Sequence, residues 1–158
     1  MSYKPENTSL LSPYMIMNDA GAAIDFYVKA FGAAEKMRLN MPGTDAVMHA
    51  EIAIDGSTIM IGQENPACEM VSAKTLGKSP VSLMIYVPDV DAAFARAIEA
   101  GAVEMNPPTD MFWGDRMCTV ICPFGYAWSL ATHQRDPSPE EIEAGAKAMM
   151  EQMAAGNG

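Results

Sequence analysis

Laid on itself at an offset of 70 residues, the chain repeats. Asp19 falls on Asp89, and Ala22, Ala23, Ile24, Val28 and Ala30 fall on Ala92, Ala93, Phe94, Ile98 and Ala100. After a slip of one residue, Gly32, Ala33 and Glu35 fall on Gly101, Ala102 and Glu104. The slipped register persists to the end of each half, where Asp55-Gly56 and the apolar run Ser57 to Gly62 face Phe124-Gly125 and Tyr126 to Ala131. Alanines align by chance; two glycines at one register rarely do. A chain of 158 residues built this way is too short for two independent domains. It is expected to be a single domain over 1–158, made of two small modules sharing a core.

Each half predicts the same elements. A strand (Tyr14 to Met17; Val81 to Val87) runs into a helix with an Asp or Asn cap, and Ala23, Ile24, Tyr27, Val28 and Phe31 recur at three- and four-residue spacing. Gly32 and Gly101 stop the helices. Strands are predicted at Ala34 to Leu39, Ala46 to Ile54 and Thr58 to Ile61, the last two joined by Asp55-Gly56. The second half repeats them near Val103 to Met105, Arg116 to Ile121 and Ala127 to Thr132. The fold class is therefore α+β, with tandem βαβββ modules over 10–66 and 81–135. Each sheet would give one face to its helix and need cover on the other, which pairing of the two halves would supply. Residues 67–80 carry Gly, Pro, Ser and Lys without periodicity and read as a linker. Ser138-Pro139-Glu140-Glu141 has the capping-box spacing with proline at the first helical position, so a C-terminal helix is predicted over 138–155. Its Ile142, Ala146, Met149, Met150 and Met153 would dock on the body or on a partner.

Composition narrows the function. Ten Lys+Arg against twenty Asp+Glu give a formal charge of −10, which argues against a nucleic-acid partner, since phosphate binding needs a basic surface. There is no apolar run long enough to span a membrane, and the first residues lack the basic-then-apolar order of a signal peptide. A cytoplasmic location is expected. Cys68, Cys118 and Cys122 are an odd count without CxxC spacing, and predict buried or incidental thiols.

Several segments resemble the vicinal oxygen chelate superfamily (glyoxalase, bleomycin-resistance and extradiol-dioxygenase proteins), and its PhnB-like branch in particular. They are Ser12-Pro13-Tyr14, Ala23-Ile24-Asp25-Phe26-Tyr27, Ala30-Phe31-Gly32-Ala33, Met48-His49-Ala50-Glu51, Phe112-Trp113-Gly114-Asp115-Arg116, and Pro123-Phe124-Gly125 running into Trp128 to His133. The resemblance covers roughly residues 10 to 145. It implies two modules forming a cleft or half-barrel, commonly completed in a homodimer, whose concave face holds a small ligand with or without a divalent metal. In metal-dependent relatives His or Glu sits on the first and fourth strands of each module. By register those positions fall on Ser12 and Met60, and on Ser82 and Ser129. Hydroxyls and a thioether are poor ligands for a divalent ion, so no metal and no cofactor is expected. The chain also departs from the branch at Cys122, Tyr126 and Met84, where relatives tend to carry Asp, His and His.

The candidate ligand-binding residues are His49, Glu51, Met60, Ser82, Met84, Trp113, Arg116 and Tyr126. His49 and Glu51 lie two apart on a strand and project from one face. The pair reads as a hydrogen-bonded structural pair, as a polar patch on a pocket wall, as acid–base machinery with Glu51 orienting the imidazole, or as part of a non-standard metal site. The predicted loop Thr109 to Arg116 offers Phe112 and Trp113 as apolar surface, with Arg116 as an anion anchor; its bland reading is a corner closed by an Asp115–Arg116 ion pair. Two function classes stand. One is a metal-free binder of a small, partly apolar or aromatic molecule, and the other a lyase, isomerase or dioxygenase-type enzyme using His49 and Glu51. A third reading makes the Met-rich terminal helix an interaction element.

Overall fold

The computed structural model describes residues 3–6 and 8–156; Met1, Ser2 and Asn7 of the polar N-terminus and the last two residues lie outside the described residues. The first module comprises β1 (Tyr14–Met17), α1 (Ala20–Phe31), β2 (Ala34–Asn40), β3 (Val47–Ile54) and β4 (Ser57–Gln63). After a 3-10 turn at Pro66–Cys68 and the one-turn helix α2 (Ala73–Leu76) come β5 (Ser82–Tyr86), α3 (Val90–Glu99), β6 (Val103–Asp110), β7 (Asp115–Ile121) and β8 (Ala127–His133). Helix α4 (Pro139–Gly156) follows. The sheets run β1-β4-β3-β2 and β5-β8-β7-β6, with only the first strand of each module parallel to its neighbour. Tyr14 stands opposite Met60 and Met84 opposite Ser129, so the repeat offsets reappear as equivalent ladder positions.

The repeated aspartates start the helices. Asp19 accepts a 3.0 Å hydrogen bond from the Ala22 amide, and Asp89 the same from Ala92, each satisfying an otherwise unpaired first-turn donor. Gly32, at φ 66°, ends α1, while Ala100 caps α3 and Gly101 follows it at φ 109°.

The two modules meet helix to helix, α1 against α3, and no strand of one lies against a strand of the other among the described residues. Arg96 Nε donates to the Ala30 carbonyl at 3.0 Å. Trp128 of β8 reaches across to Tyr27 and Phe31 of α1, with ring centroids 5.3 and 4.8 Å apart. One continuous core results, joining buried residues of both sheets and both helices. The expectation that the halves cover each other's second sheet face is corrected: they cover the helix side, where the large aromatics are. The far sheet faces stay open, with Tyr14, Met37, Leu39, Met84, Val103 and Met105 exposed.

Two further expectations change. Residues 67–80 are partly ordered, because α2 lies among them, capped by Ser72, whose side chain accepts from the Thr75 amide at 3.2 Å. The segment Thr109 to Arg116 is mostly strand, since β6 reaches Asp110 and β7 begins at Asp115. Proline is tolerated at Pro107 and Pro108 because β6 is a bulged edge strand, where a missing amide breaks no ladder bond. The capping box is present at α4, with Ser138 Oγ accepting from the Glu141 amide and the Ser138 amide donating to Glu141. That helix docks through Gly145 against Phe112, leaving Met150 and Met153 exposed. Cys118 and Cys122 are buried and Cys68 exposed, all as free thiols. No helix among the described residues is long and apolar enough to cross a membrane.

Candidate functional site

Strand alternation sends Ala50 and Ile52 of β3 into the core and leaves His49 and Glu51 on the open face. Across the ladder His49 stands beside Leu39 and Gly62, and Glu51 beside Met37 and Met60. Tyr14 is the next neighbour of Met60 on β1. Its ring crosses over Gly62, where a Cβ would sit 2.9 Å from ring carbon Cε1 and 3.1 Å from the phenol oxygen. The missing side chain thus opens the path by which Tyr14 Oη reaches His49 Nδ1 at 3.1 Å. The two rings stack at 5.5 Å with planes 25° apart.

This pair walls a cavity of about 790 Å³ with Met41, Pro42, Met48 and Met70, and with Glu64 and Asn65 at its polar side. His49 Nε2 has no partner among the described residues, so the outer edge of the ring offers one polar group: a donor if Tyr14 donates to Nδ1, an acceptor if Nδ1 donates to Tyr14. Glu51 does not orient the imidazole; Tyr14 does. Glu51 and Met60 share the face but lie beside the cavity rather than in its wall. Tyr14 is also a wall of a second cavity of about 370 Å³ between the modules, with Leu76, Lys78, Val81 and Tyr126. The Tyr126 hydroxyl is committed to the Ile16 carbonyl at 3.0 Å, tying the second module to β1, and burial raises its pKa.

The remaining candidates lie elsewhere. Ser82 and Met84 are exposed on the open face of β5. Trp113 sits in the turn between β6 and β7, edge-on to Phe112 at 4.9 Å. Arg116 shares the helix side of β7 with Cys118. Its Nε and Nη2 donate to Asp91 at 2.8 Å each and its Nη1 to Asp110 at 3.0 Å. These carboxylates hold its pKa above the ordinary arginine value, and Arg116 holds that of Asp91 down. The expected Asp115–Arg116 pair is therefore corrected: consecutive residues of a strand face opposite ways, and each finds other partners. Asp115 turns to the open face, accepting from the Tyr86 hydroxyl at 3.0 Å and bonding His133 Nδ1 at 2.8 Å.

Tyr14, Tyr86 and His133 were not singled out by sequence. The signal was present in Ser12-Pro13-Tyr14 and in the ends of the Trp-Gly-Asp-Arg and Ala-Thr-His segments, but only the ladder shows which of them share a face. In the ladders Tyr14, rather than Ser12, stands opposite Met60, and Met84, rather than Ser82, stands opposite Ser129. The phenol, two thioethers and hydroxyl of these four residues are a donor set that does not fit a hard or borderline divalent ion. Among the described residues no three His, Cys, Asp or Glu side chains converge to hold one.

Two βαβββ modules with an open, ligand-sized face on each sheet define a glyoxalase-type fold. Residues 10–130 match the Glyoxalase/Bleomycin resistance protein/Dioxygenase superfamily, and the chain belongs to that family. It is 42% identical over 138 residues to an uncharacterized protein of Mycobacterium tuberculosis, covering 85% of this chain and 80% of the relative. It resembles the structure of a gene product from Arabidopsis thaliana (TM-score 0.63, 26% identity, covering 78% and 98% of the two chains). The structure of TioX from Micromonospora sp. ML1 has the same fold (TM-score 0.61, 24% identity, 79% and 98% covered).

Proposed function

We propose that this protein binds a small, partly apolar or aromatic molecule on the open face of its first module, without the superfamily's usual metal site. The observation that carries this is the Tyr14–His49 stack laid over Gly62 as one wall of the 790 Å³ cavity. Enclosed ligand sites of about 300–1,000 Å³ combine apolar walls with a few placed polar groups, and here Met41, Met48 and Met70 supply a deformable lining while His49 Nε2 supplies the polar contact. The proposal includes membership of the PhnB-like branch, supported by the Trp113-Gly114-Asp115-Arg116 and Pro123-Phe124-Gly125 segments, and a cytoplasmic location. It also gives a homodimer, because the exposed Met37, Leu39, Val103 and Met105 leave sheet surface that a second copy would cover.

A second reading, cofactor-free proton transfer, rests on the Tyr14–His49 bond. Tyr14 fixes the imidazole so that Nε2 faces the cavity as proton acceptor or donor, with Glu51 adding charge on the same face.

Titration with quinoline, followed by amide and side-chain NMR, tests the binding reading. Shifts should cluster at Tyr14, Met48, His49 and Met70. His49→Ala and Gly62→Ala should each weaken binding about three- to tenfold, the worth of an aromatic pair. Arg116→Ala should leave the affinity unchanged, since its guanidinium is engaged on the opposite side of the other sheet. No shifts at the Tyr14–His49 wall, or full affinity in both wall variants, rejects the site.

A further inference from the structure

The most developed polar cluster outside that cavity joins the two ends of the motif-rich second module. Asp115 is 4% exposed, and its two carboxylate oxygens are both used: Oδ2 accepts from Tyr86 and Oδ1 bonds His133 Nδ1. A buried carboxylate bonded to one imidazole nitrogen fixes the ring and leaves the other nitrogen to act outward. Here that outer nitrogen, Nε2, meets Asp136 Oδ1 at 3.2 Å. The Asp136 side chain is 98% exposed and lies three residues beyond His133, in the segment that follows β8. Such a contact is weak and is readily exchanged for another acceptor.

We propose that His133 is an anion-recognition residue on the open face of the second module, and that Asp136 occupies, in the free protein, the place of a ligand's carboxylate. The ligand class is a small carboxylate on an apolar or aromatic body. The surface beside His133 explains the apolar part: half-buried Met117 lies on the same face of the ladder, with Tyr86 and Met84 exposed on β5 and Ala131 buried beneath them. The neighbouring arginines are spent locally, so an anion arriving here would meet the His133 imidazolium rather than a guanidinium. Arg116 is held by Asp91 and Asp110, and Arg135 by Glu141. The charged groups facing His133 are Asp115 from β7 and Asp136 from its own segment, with the Tyr86 phenol from β5 beyond Asp115. The hydrogen bond to Asp115, and after it the charges of Asp136 and Asp115, raise the His133 pKa from its ordinary value. The imidazolium is therefore retained to higher pH than in a free histidine, and anion binding should persist to that raised pKa and fall away above it. This site is independent of the Tyr14–His49 cavity.

Benzoate is the probe, followed through the His133 ring resonances and the Met84 and Met117 methyls of the full-length protein. Benzoate should perturb these signals at pH 6 and lose affinity as pH rises through the His133 transition. Asp136→Asn should tighten binding roughly two- to fivefold by removing an exposed internal competitor, beyond any change in an Asp45→Asn control that alters net charge equally. His133→Asn keeps a donor near Nδ1 for Asp115 and removes Nε2, and should abolish binding. Unchanged or weaker binding in Asp136→Asn, pH-independent binding, or no binding in the wild type overturns the proposal. Should His133→Asn fail to fold, the Asp136→Asn series and the pH profile decide. Benzoate shifts confined to His49 and Tyr14 would overturn this site and leave the first-module cavity standing.

Discussion

Replacing Trp128 with alanine is expected to destabilise the protein by about 3–5 kcal/mol, the cost of emptying a buried aromatic site, and to do so in a single transition. Trp128 is 1% exposed and belongs to the second sheet, yet its ring packs on Tyr27 and Phe31 of the first module's helix. Phe124 of the second module meets Phe26 of α1 with ring centroids 6.2 Å apart, and the Tyr27 hydroxyl lies 3.8 Å from Cys122 Sγ. Burial, then the neighbouring Cys122, pushes the Tyr27 pKa well up, which marks how dry this junction is. The indole is held chiefly for its shape: among the described residues no well-formed hydrogen bond satisfies the buried Trp128 Nε1, and its polar contact with the Tyr27 hydroxyl only tempers that group's raised pKa. Trp128→Phe should therefore cost less than half as much as Trp128→Ala. Urea unfolding read by far-UV circular dichroism and by tyrosine fluorescence checks this. Coincident, shifted transitions are expected; a loss below about 1 kcal/mol, or two separate transitions, would mean that the junction does not unite the modules.

Gly114→Ala should lose more stability than Gly43→Ala although both glycines have positive φ, at 98° and 75°. At Gly43 an added Cβ meets nothing, so only the backbone preference is lost, about 1 kcal/mol. At Gly114 it would run into the Arg135 carbonyl and come within 2.9 Å of Pro137 Cδ. That carbonyl cannot yield, because the Gln134 and Arg135 amides both donate to Gly114 O at 3.0 and 3.2 Å. The chain leaving β8 is thus clamped over the β6–β7 turn, and α4 then sits on Phe112. A cost of about 3 kcal/mol or more is expected, with loss of α4 docking. Equal melting-temperature losses for the two variants would show that the clamp carries no energy.

The repeat made the fold readable because each repeated residue has a local job. Asp19 and Asp89 cap helices, and Gly32 turns the chain out of one. The terminal helix was equally legible, since a capping box is a contact within four residues. What could not be read was set by partners distant in sequence. The alternation that pairs His49 with Glu51 is local, but Tyr14 lies 35 residues from His49, and their contact depends on the empty space at Gly62. Arg116 was drawn to Asp115 by adjacency, whereas strand geometry sends it to Asp91 on α3. The open sheet faces were missed for the same reason: a periodic pattern says that a face is apolar, and only packing says which neighbour covers it.

Native mass spectrometry of the protein purified without chelator tests the central claim most directly, because one spectrum reads subunit number, bound metal and retained small molecules. The account predicts a dimer free of stoichiometric metal, carrying an organic adduct that is lost in His49→Ala. One divalent ion per subunit, removed by substituting His49 or Glu51, would contradict it.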